Sequence, residues 1–136
     1  MNDLEKAKSI LSSGEYTCVL CKGDTIHISR HRGVQPLLEL LETDVSGFSA
    51  ADKVVGKATA LLYCLLKVKA VHAQVISLAA LQVLQSNSIT VSWGSQVDFI
   101  RNRAGDGRCP MEQATEGIDD PQEALAAIQT KLKELQ

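Results

Sequence analysis

The stretch from residue 52 to residue 66 constrains the fold more than any other part of the chain. Its apolar residues recur at steps of three and four, which is the spacing of one broad face of an amphipathic helix. These positions are Val55, Ala58, Leu61, Leu62, Leu65 and Leu66. The pattern predicts a helix that begins at Asp52 and buries this face in a core.

Strand and helix patterns alternate after this helix. Residues 68–76 have the composition of a buried strand, and residues 89–93 return to a short strand. Between them, Ser77 is a suitable N-cap for an apolar helix over residues 78–84. Because strands that alternate with helices usually pair in parallel, this half of the chain predicts parallel strands.

The first part of the chain predicts a helix followed by a β-hairpin. Asn2 and Glu5 form a capping-box pattern at the start of a helix that ends near Gly14. Residues 16–21 and 25–29 are rich in β-forming side chains, and a Lys-Gly-Asp turn joins them. Two such strands joined by a tight turn pair antiparallel.

Prolines open three further helices. Pro36 precedes an apolar stripe, while Pro110 and Pro121 each follow a residue suited to the N-cap position. The last helix extends through Leu135. The element order is therefore α, β, β, α, α, β, α, β, α, α. It predicts a single domain over residues 1–136, with a mixed sheet that is antiparallel in the N-terminal hairpin, parallel later, and covered by helices.

Composition limits the class of protein. Of 136 residues, 45% are hydrophobic and 22% charged, as in an ordinary globular domain. A net charge of −2 argues against wholesale attraction to nucleic acid or to an anionic membrane. The longest apolar stretch, residues 58–66, is roughly half the length that crosses a bilayer. Without a secretory signal, and with too few cysteines for a disulfide framework, we expect a cytoplasmic protein with free thiols.

Two segments gather charged or reactive groups where a loop gives way to a predicted helix. They are residues 52–58, with the sequence DKVVGKA, and residues 102–112, with the sequence NRAGDGRCPME. The unpaired N–H groups and the positive dipole at the start of a helix attract anions. The residues that we expect to line a ligand site are Asp52, Lys53, Lys57, Asn102, Arg103, Arg108 and Glu112.

The first segment also has a purely structural interpretation. Asp52 would be an N-cap, Gly56 would be a point of close packing against the sheet, and the lysines would face solvent. The motif around Gly56 lacks the glycine and the hydroxyl of a phosphate-binding loop, since Ala51 and Ala58 occupy those places. The sequence leaves both interpretations open.

Cys109 is the strongest candidate for a catalytic residue. It precedes Pro110 as a suitable N-cap, with Arg103 and Arg108 nearby, and both influences favour the thiolate over the thiol. A thiolate could serve as the nucleophile in group or sulfur transfer. The alternative is structural, with Cys109 ending the loop and Glu112 completing the helix cap.

Two thiols and two imidazoles lie close together in the hairpin and raise the question of a zinc site. They belong to Cys18, Cys21, His27 and His31. Residues three apart on a strand point to opposite faces of the sheet, so Cys18 and Cys21 would converge only if the hairpin were not formed. We therefore expect core thiols and surface histidines, and we assign no metal and no cofactor to the chain.

Two clusters of basic residues interrupt an otherwise acidic chain. They are Arg30, His31 and Arg32, and Arg101, Arg103 and Arg108. Proteins that bind single-stranded nucleic acid usually combine such charge with stacking aromatics, but aromatic residues make up only 4% of this chain. Nucleic acid is therefore a minor hypothesis, and solvated surface is the other interpretation of both clusters.

Four segments together resemble DUF 1893, a small bacterial family of unknown function. These segments are residues 52–58, residues 33–38, Asn102-Arg103 and residues 109–112. The similarity covers roughly residues 15–128. It implies a three-layer α/β/α fold of the cytidine-deaminase-like type and no established activity.

The zinc-dependent deaminase signature is missing from the chain. Such enzymes place H-x-E at one helix start and P-C-x-x-C at the next, so that a zinc ion holds the attacking hydroxide. Here Ser77 stands where a thiolate is required. The sequence His72-Ala73-Gln74 falls on a predicted strand, and glutamine cannot carry a proton as glutamate does. We expect no zinc-dependent deamination.

Three functions follow from these observations. The leading hypothesis is a domain that binds a small anionic or nucleotide-like ligand at the edge of the sheet, without a zinc site. The second is a cysteine-dependent enzyme that uses Cys109. The third is a structural protein-interaction domain, with homo-oligomers among its assemblies. The first depends on one spatial expectation, that the segments around Lys53 and Cys109 share one cleft.

Overall fold

The computed structural model describes residues 2–101, 105 and 107–135. Its helices are α1 (Asp3–Ser13), α2 (Gln35–Leu38), α3 (Lys57–Leu66), α4 (Leu78–Ser86), α5 (Pro110–Ala114) and α6 (Pro121–Glu134). Its strands are β1 (Cys18–Lys22), β2 (Thr25–Ser29), β3 (Ser49–Val55), β4 (Ala70–Ser77) and β5 (Thr90–Val97). Helix and strand alternate from α3 to β5, as the sequence predicts, but the strand β3 before them was not predicted.

The strands form one open sheet in the order β2-β1-β3-β4-β5. β1 pairs antiparallel with β2 on one side and with β3 on the other. β3, β4 and β5 run parallel to one another. The predicted mixed sheet, with an N-terminal hairpin and later parallel strands, is confirmed.

Helices cover both faces of the sheet and complete three layers. On one face, Ala7 and Leu11 of α1 pack against Val19, Cys21 and Ala51. The other face carries the larger core, which α3 and α4 cover, with α5 and α6 packed on α3. This arrangement is the predicted α/β/α class. No helix among the described residues has both the length and the apolar character needed to cross a bilayer.

The predicted start of the long helix at Asp52 is wrong, because residues 49–55 form strand β3. Asp52 lies inside β3, and α3 begins only at Lys57, with Gly56 at its N-cap and no side-chain cap hydrogen bond. β3 is hydrogen-bonded to β1 on one side and to β4 on the other, and Ala50 and Ala51 are fully buried. Pairing along both edges therefore outweighs the low intrinsic strand preference of alanine.

The predicted helix caps are largely confirmed. Asn2, Ser77 and Asp120 each accept a hydrogen bond from the backbone N–H three residues further on, at 2.8, 3.2 and 2.9 Å. Such bonds satisfy one of the unpaired donors at a helix start. Cys109 occupies the N-cap position of α5 but makes no side-chain cap hydrogen bond.

Candidate functional site

The start of β1 lies between the carboxyl ends of β2 and β3, at one end of the strands. The Lys53 N–H donates to the Thr17 carbonyl oxygen at 3.1 Å, and the Thr17 N–H donates to the Ser29 carbonyl oxygen at 2.8 Å. The single proton of the Thr17 hydroxyl lies within hydrogen-bond reach of two carbonyl oxygens, those of Ser29 and His31. These bonds bring the cationic end of β3 beside the basic residues that follow β2.

A cleft of about 1110 Å³ opens at this end of the strands. It is lined by Glu15, Thr17, residues 30–36, residues 52–54, Gly56, Ala58, Thr59, Ile100, Arg101, residues 109–112, Leu132 and Leu135. Small-molecule sites typically occupy about 300–1,000 Å³, so the cleft is slightly larger than most such sites and has room for a small ligand.

The structure brings together four of the site residues expected from sequence. Asp52 and Lys53 line the cleft from β3, and Cys109 and Glu112 line it from the start of α5. The two segments thus share one cleft, as the leading hypothesis requires.

The remaining expected site residues divide into two groups. Asn102 and Arg103 lie outside the described residues. Lys57 and Arg108 are not among the residues that line the cleft. Lys57 Nζ lies 3.6 Å from Asp119 Oδ1, and Arg108 Nη1 lies 3.7 Å from Glu116 Oε1.

Asp52 forms a buried polar network with two other side chains. The Tyr63 hydroxyl donates to Asp52 Oδ2 at 2.7 Å, and Cys18 Sγ lies 3.3 Å from the same hydroxyl oxygen. The Val54 N–H reaches Asp52 Oδ1 at 3.4 Å. Asp52 keeps only 7% of its surface exposed, and Tyr63 keeps none. Because Tyr63 donates its only proton to Asp52, its oxygen is free to accept the proton of the Cys18 thiol.

Burial controls the ionisation of this network. It raises the pKa of Asp52 to about 7, although the hydrogen bond from Tyr63 opposes the shift. Burial, and then the nearby charge of Asp52, raise the pKa values of Cys18 and Tyr63 well above their usual values. Cys18 and Tyr63 are therefore neutral near pH 7, while Asp52 titrates in that range.

Glu112 places a carboxylate oxygen against the start of α3. Its Oε1 is buried and has no hydrogen-bond partner among the described residues. A Cβ atom added at Gly56 would lie 2.7 Å from this oxygen and 3.1 Å from Cγ1 of Ile100. Gly56 is thus a point of close packing, as predicted, but its neighbours are Glu112 and Ile100 rather than the sheet. A buried acceptor without a partner is uncommon in folded proteins and costs free energy.

Basic side chains reach the cleft from three separate parts of the chain. Arg30, His31 and Arg32 follow β2, Lys53 belongs to β3, and Arg101 follows β5. The guanidinium carbon of Arg101 lies 5.4 Å from the centroid of the Phe99 ring, a cation–π distance that orients the side chain. The first basic cluster and part of the second therefore face one cleft.

A smaller hollow of about 370 Å³ adjoins the cleft. It is lined by Val54, Val75, Val97, Asp98, Phe99, Ile100 and Arg101. Val54, Ile100 and Arg101 line both spaces, so the hollow continues the cleft along the carboxyl ends of the parallel strands. Open α/β sheets generally bind their ligands at those ends.

Comparison with known proteins assigns the family. The sequence profile described as a domain of unknown function, DUF1893 (TM1506), matches residues 6–132. The chain belongs to the DUF1893 family. This result confirms the resemblance noted from the motif segments. No curated protein matches the chain.

The crystal structure of a DUF1893 family protein (TM1506) from Thermotoga maritima is similar to this DUF1893 chain over nearly its whole length. The two share 29% sequence identity and superpose with a TM-score of 0.88. The similarity covers 96% of this chain and 90% of the other. The three-layer architecture is therefore shared with a family member whose structure was solved by experiment.

Two hairpin cysteines of this DUF1893 domain lie on opposite faces of the sheet. Cys18 belongs to the larger core under α3, and Cys21 belongs to the core under α1. The two thiols thus diverge as strand geometry predicts, and they cannot bind the same metal ion. Among the described residues, no group of three metal-binding side chains converges.

Tyr63 is the site residue that the sequence did not single out. It is buried in α3 but does not belong to the apolar face that the sequence pattern picked out. A buried tyrosine hydroxyl requires a hydrogen-bond partner, which is the one signal that could have suggested a polar network. The partner itself was not predictable, since Asp52 was assigned to a helix start rather than to β3.

Proposed function

We propose that this domain binds a small anionic, nucleotide-like ligand in the cleft, with Arg30, Arg32, Lys53 and Arg101 holding the anionic part. One observation carries the proposal, namely that cations from separate parts of the chain line a single cleft of ligand size. Arginine suits the task because its planar guanidinium can make two parallel hydrogen bonds to a phosphate or carboxylate.

Two carboxyl groups in the same cleft favour a ligand that also carries donors. Glu112 Oε1 has no hydrogen-bond partner among the described residues, and a buried acceptor left unpaired costs free energy. Asp52 is partly protonated near pH 7 because of its raised pKa, so it repels an anion less than an ordinary aspartate would. A nucleotide offers both parts, a phosphate for the cations and ring N–H or amino groups for the carboxyl groups.

The adjoining hollow favours a ligand with a flat apolar part. Val54, Val75 and Phe99 line it, and Arg101 lies at its junction with the cleft. A nucleotide-like ligand also agrees with a cytidine-deaminase-like origin of the fold and with a bacterial, cytoplasmic setting, both of which we infer from the sequence. In this proposal Asn102 and Arg103 complete the site.

Thermal denaturation in the presence of candidate ligands tests the proposal. The probes are inorganic phosphate and nucleoside mono-, di- and triphosphates, added to the wild type and to the double variant Lys53→Ala, Arg32→Ala. A ligand at about 100 times its Kd stabilises the folded state by about 2.7 kcal/mol. We expect a nucleotide to raise the melting temperature of the wild type and to raise that of the double variant much less.

The matched control is the double variant Lys22→Ala, Lys69→Ala. It also removes two positive charges, but from exposed residues at the end of β1 and before β4, away from the cleft. We expect it to respond like the wild type. Equal stabilisation of all three proteins would show that binding does not use the cleft, and no stabilisation by any probe would refute the proposal.

A cysteine-dependent reaction is the second candidate, because the half-buried Cys109 lines the same cleft as Lys53 and Arg101. A catalytic thiolate near these cations would react with iodoacetamide at a pH where ordinary thiols are slow. Mass spectrometry of single-site alkylation across the pH range from about 5.5 to 9 measures this, with Cys64 as an internal reference whose pKa is raised to about 11 by burial. An alkylation rate for Cys109 that follows an exposed model thiol would remove this candidate.

A further inference from the structure

Residues 70–97 contain no aspartate, glutamate, lysine or arginine, although such residues make up 22% of the chain. His72 is the single ionisable side chain in this stretch. The stretch forms β4, α4 and β5. β4 lies inside the sheet, where the lack of charge is ordinary, but α4 and β5 reach the surface.

The uncharged stretch forms one side of the molecule. β5 is an edge strand, bonded to β4, and α4 packs against it. Three large apolar side chains are exposed there: Leu78 by 42%, Trp93 by 39% and Val97 by 36%. The polar residues beside them are neutral serine, threonine, asparagine and glutamine. A surface depleted of charge that exposes a tryptophan has the composition of a protein interface.

Strand β5 also lacks the features that protect exposed strand edges. Proteins usually block such edges with a charged residue, a proline or a very short strand. Thr90–Val97 has eight residues, no charged side chain and no proline. The opposite edge, β2, also lacks charged side chains and proline and exposes Ile26 and Ile28, but it has only five residues with a charged residue directly at each end. β5 is followed by Asp98 but has eight residues, so it offers the longer uncharged edge for pairing.

We propose that β5 pairs antiparallel with β5 of a second copy of this chain, joining the two sheets across a two-fold axis. The neutrality of the surface identifies the occupant. Nucleic acid, an acidic or basic peptide and an anionic membrane would each find no opposite charge here. A second copy presents the same neutral strand, so no like charges meet across the axis. This proposal does not require ligand binding in the cleft, although Val97 at the end of β5 also lines the adjoining hollow.

Charge substitutions on β5 test the pairing in solution. The wild type is expected to sediment with twice the 14.7 kDa mass of one chain. Ser95→Glu places two negative charges near each other across the axis, so this variant is expected to be monomeric. Ser95→Lys should behave in the same way, and an equal mixture of the two variants should recover the dimer. The matched control is Ile28→Glu, at an exposed position on the opposite edge strand, which should leave the dimer intact.

Two further measurements keep the test decisive. Circular dichroism shows whether each variant is folded, and Gln96→Glu replaces Ser95→Glu if the latter is not. Hydrogen exchange of the amides of residues 90–97 should slow as the wild-type concentration rises. A wild type that stays monomeric up to about 1 mM, or a dimer that survives every β5 substitution, would overturn the proposal.

Discussion

Asp52 shows how one buried side chain connects the core to the cleft. It lines the cleft, accepts a hydrogen bond from Tyr63 and titrates near pH 7 because burial penalises its charged form. The other ionisable members of its network stay neutral, so changes of charge near neutrality are confined to this carboxyl group. Burial thus gives Asp52 a pKa of about 7, which its position in the sequence does not suggest.

Replacement of Asp52 by asparagine should change the pH dependence of stability. The folded pKa of about 7 lies above the usual value of 3.8, so the folded state binds the proton more tightly than the unfolded state. The contribution of Asp52 is therefore fully present below about pH 4 and falls as the pH rises towards 7, by at most about 1.4 kcal/mol per pH unit. Asp52→Asn removes this slope.

Urea denaturation at several pH values measures the effect. We expect the difference in unfolding free energy between Asp52→Asn and the wild type to shift in favour of the variant from about pH 5 to about pH 8. Asp98→Asn, at an exposed position, is the control and should show no such shift. A difference that stays constant with pH would contradict the raised pKa.

A side chain at Gly56 should force the Glu112 side chain to move. A Cβ at Gly56 would lie 2.7 Å from Glu112 Oε1 and 3.1 Å from Ile100 Cγ1, and since the closer atom is the end of a flexible side chain, the cost should be at the low end of the about 1–3 kcal/mol of overpacking. We expect Gly56→Ala to destabilise the fold by about 1 kcal/mol, and Gly56→Ala, Glu112→Ala to recover part of the loss. A double-mutant cycle in urea measures the coupling. Purely additive effects would show that the two residues do not meet.

At the scale of single elements, local signals placed most helix ends correctly. Ser77 is both the last residue of β4 and the N-cap of α4, and it is fully buried. Its cap bond matters more than an exposed one, since water cannot replace the lost acceptor. The junction between strand and helix therefore depends on a single hydroxyl group.

Ser77→Ala should destabilise the protein by about 1 kcal/mol or somewhat more, because the Ala80 N–H loses its acceptor. Thermal or urea denaturation measures the change. Ser86→Ala, at the exposed end of α4, is the matched control and should change stability by less than about 0.5 kcal/mol. Similar effects at both positions would mean that the cap bond contributes little.

Across the whole molecule, the two faces of the sheet are unequal. α1 alone covers one face over a small core, while α3 and α4 cover the other over a much larger one, with α5 and α6 outside them. The cleft and its buried network lie at the margin of the larger core. The stability of the domain is therefore concentrated around α3.

Truncation of a core residue in α3 should accordingly be severe. Leu61 is fully buried, and Leu61→Ala is expected to cost about 2–5 kcal/mol through lost burial and an unfilled cavity. Ile28→Ala removes a similar volume from a side chain that is 50% exposed on β2, and it should cost much less. Urea denaturation of both variants compares them. Equal costs would show that the core is not centred on α3.

The sequence by itself determined the hairpin, the alternation of strands and helices, the mixed sheet and the caps at Asn2, Ser77 and Asp120. These features depend on spacings of a few residues, which the chain carries locally. The resemblance to DUF1893 also led us to expect that the regions of Lys53 and Cys109 share one cleft, which the sequence alone could not decide.

The tertiary structure decided the features that depend on distant partners. Asp52 lies in a strand because β1 and β4 pair with β3 on both sides, and a local pattern cannot report such pairing. The same long-range contacts join Asp52 to Tyr63 and bring the basic residues after β2 to Lys53. They also leave Lys57 beside Asp119 rather than in the cleft. Secondary structure follows from local spacing, whereas a site assembled from separate segments exists only once the chain is folded.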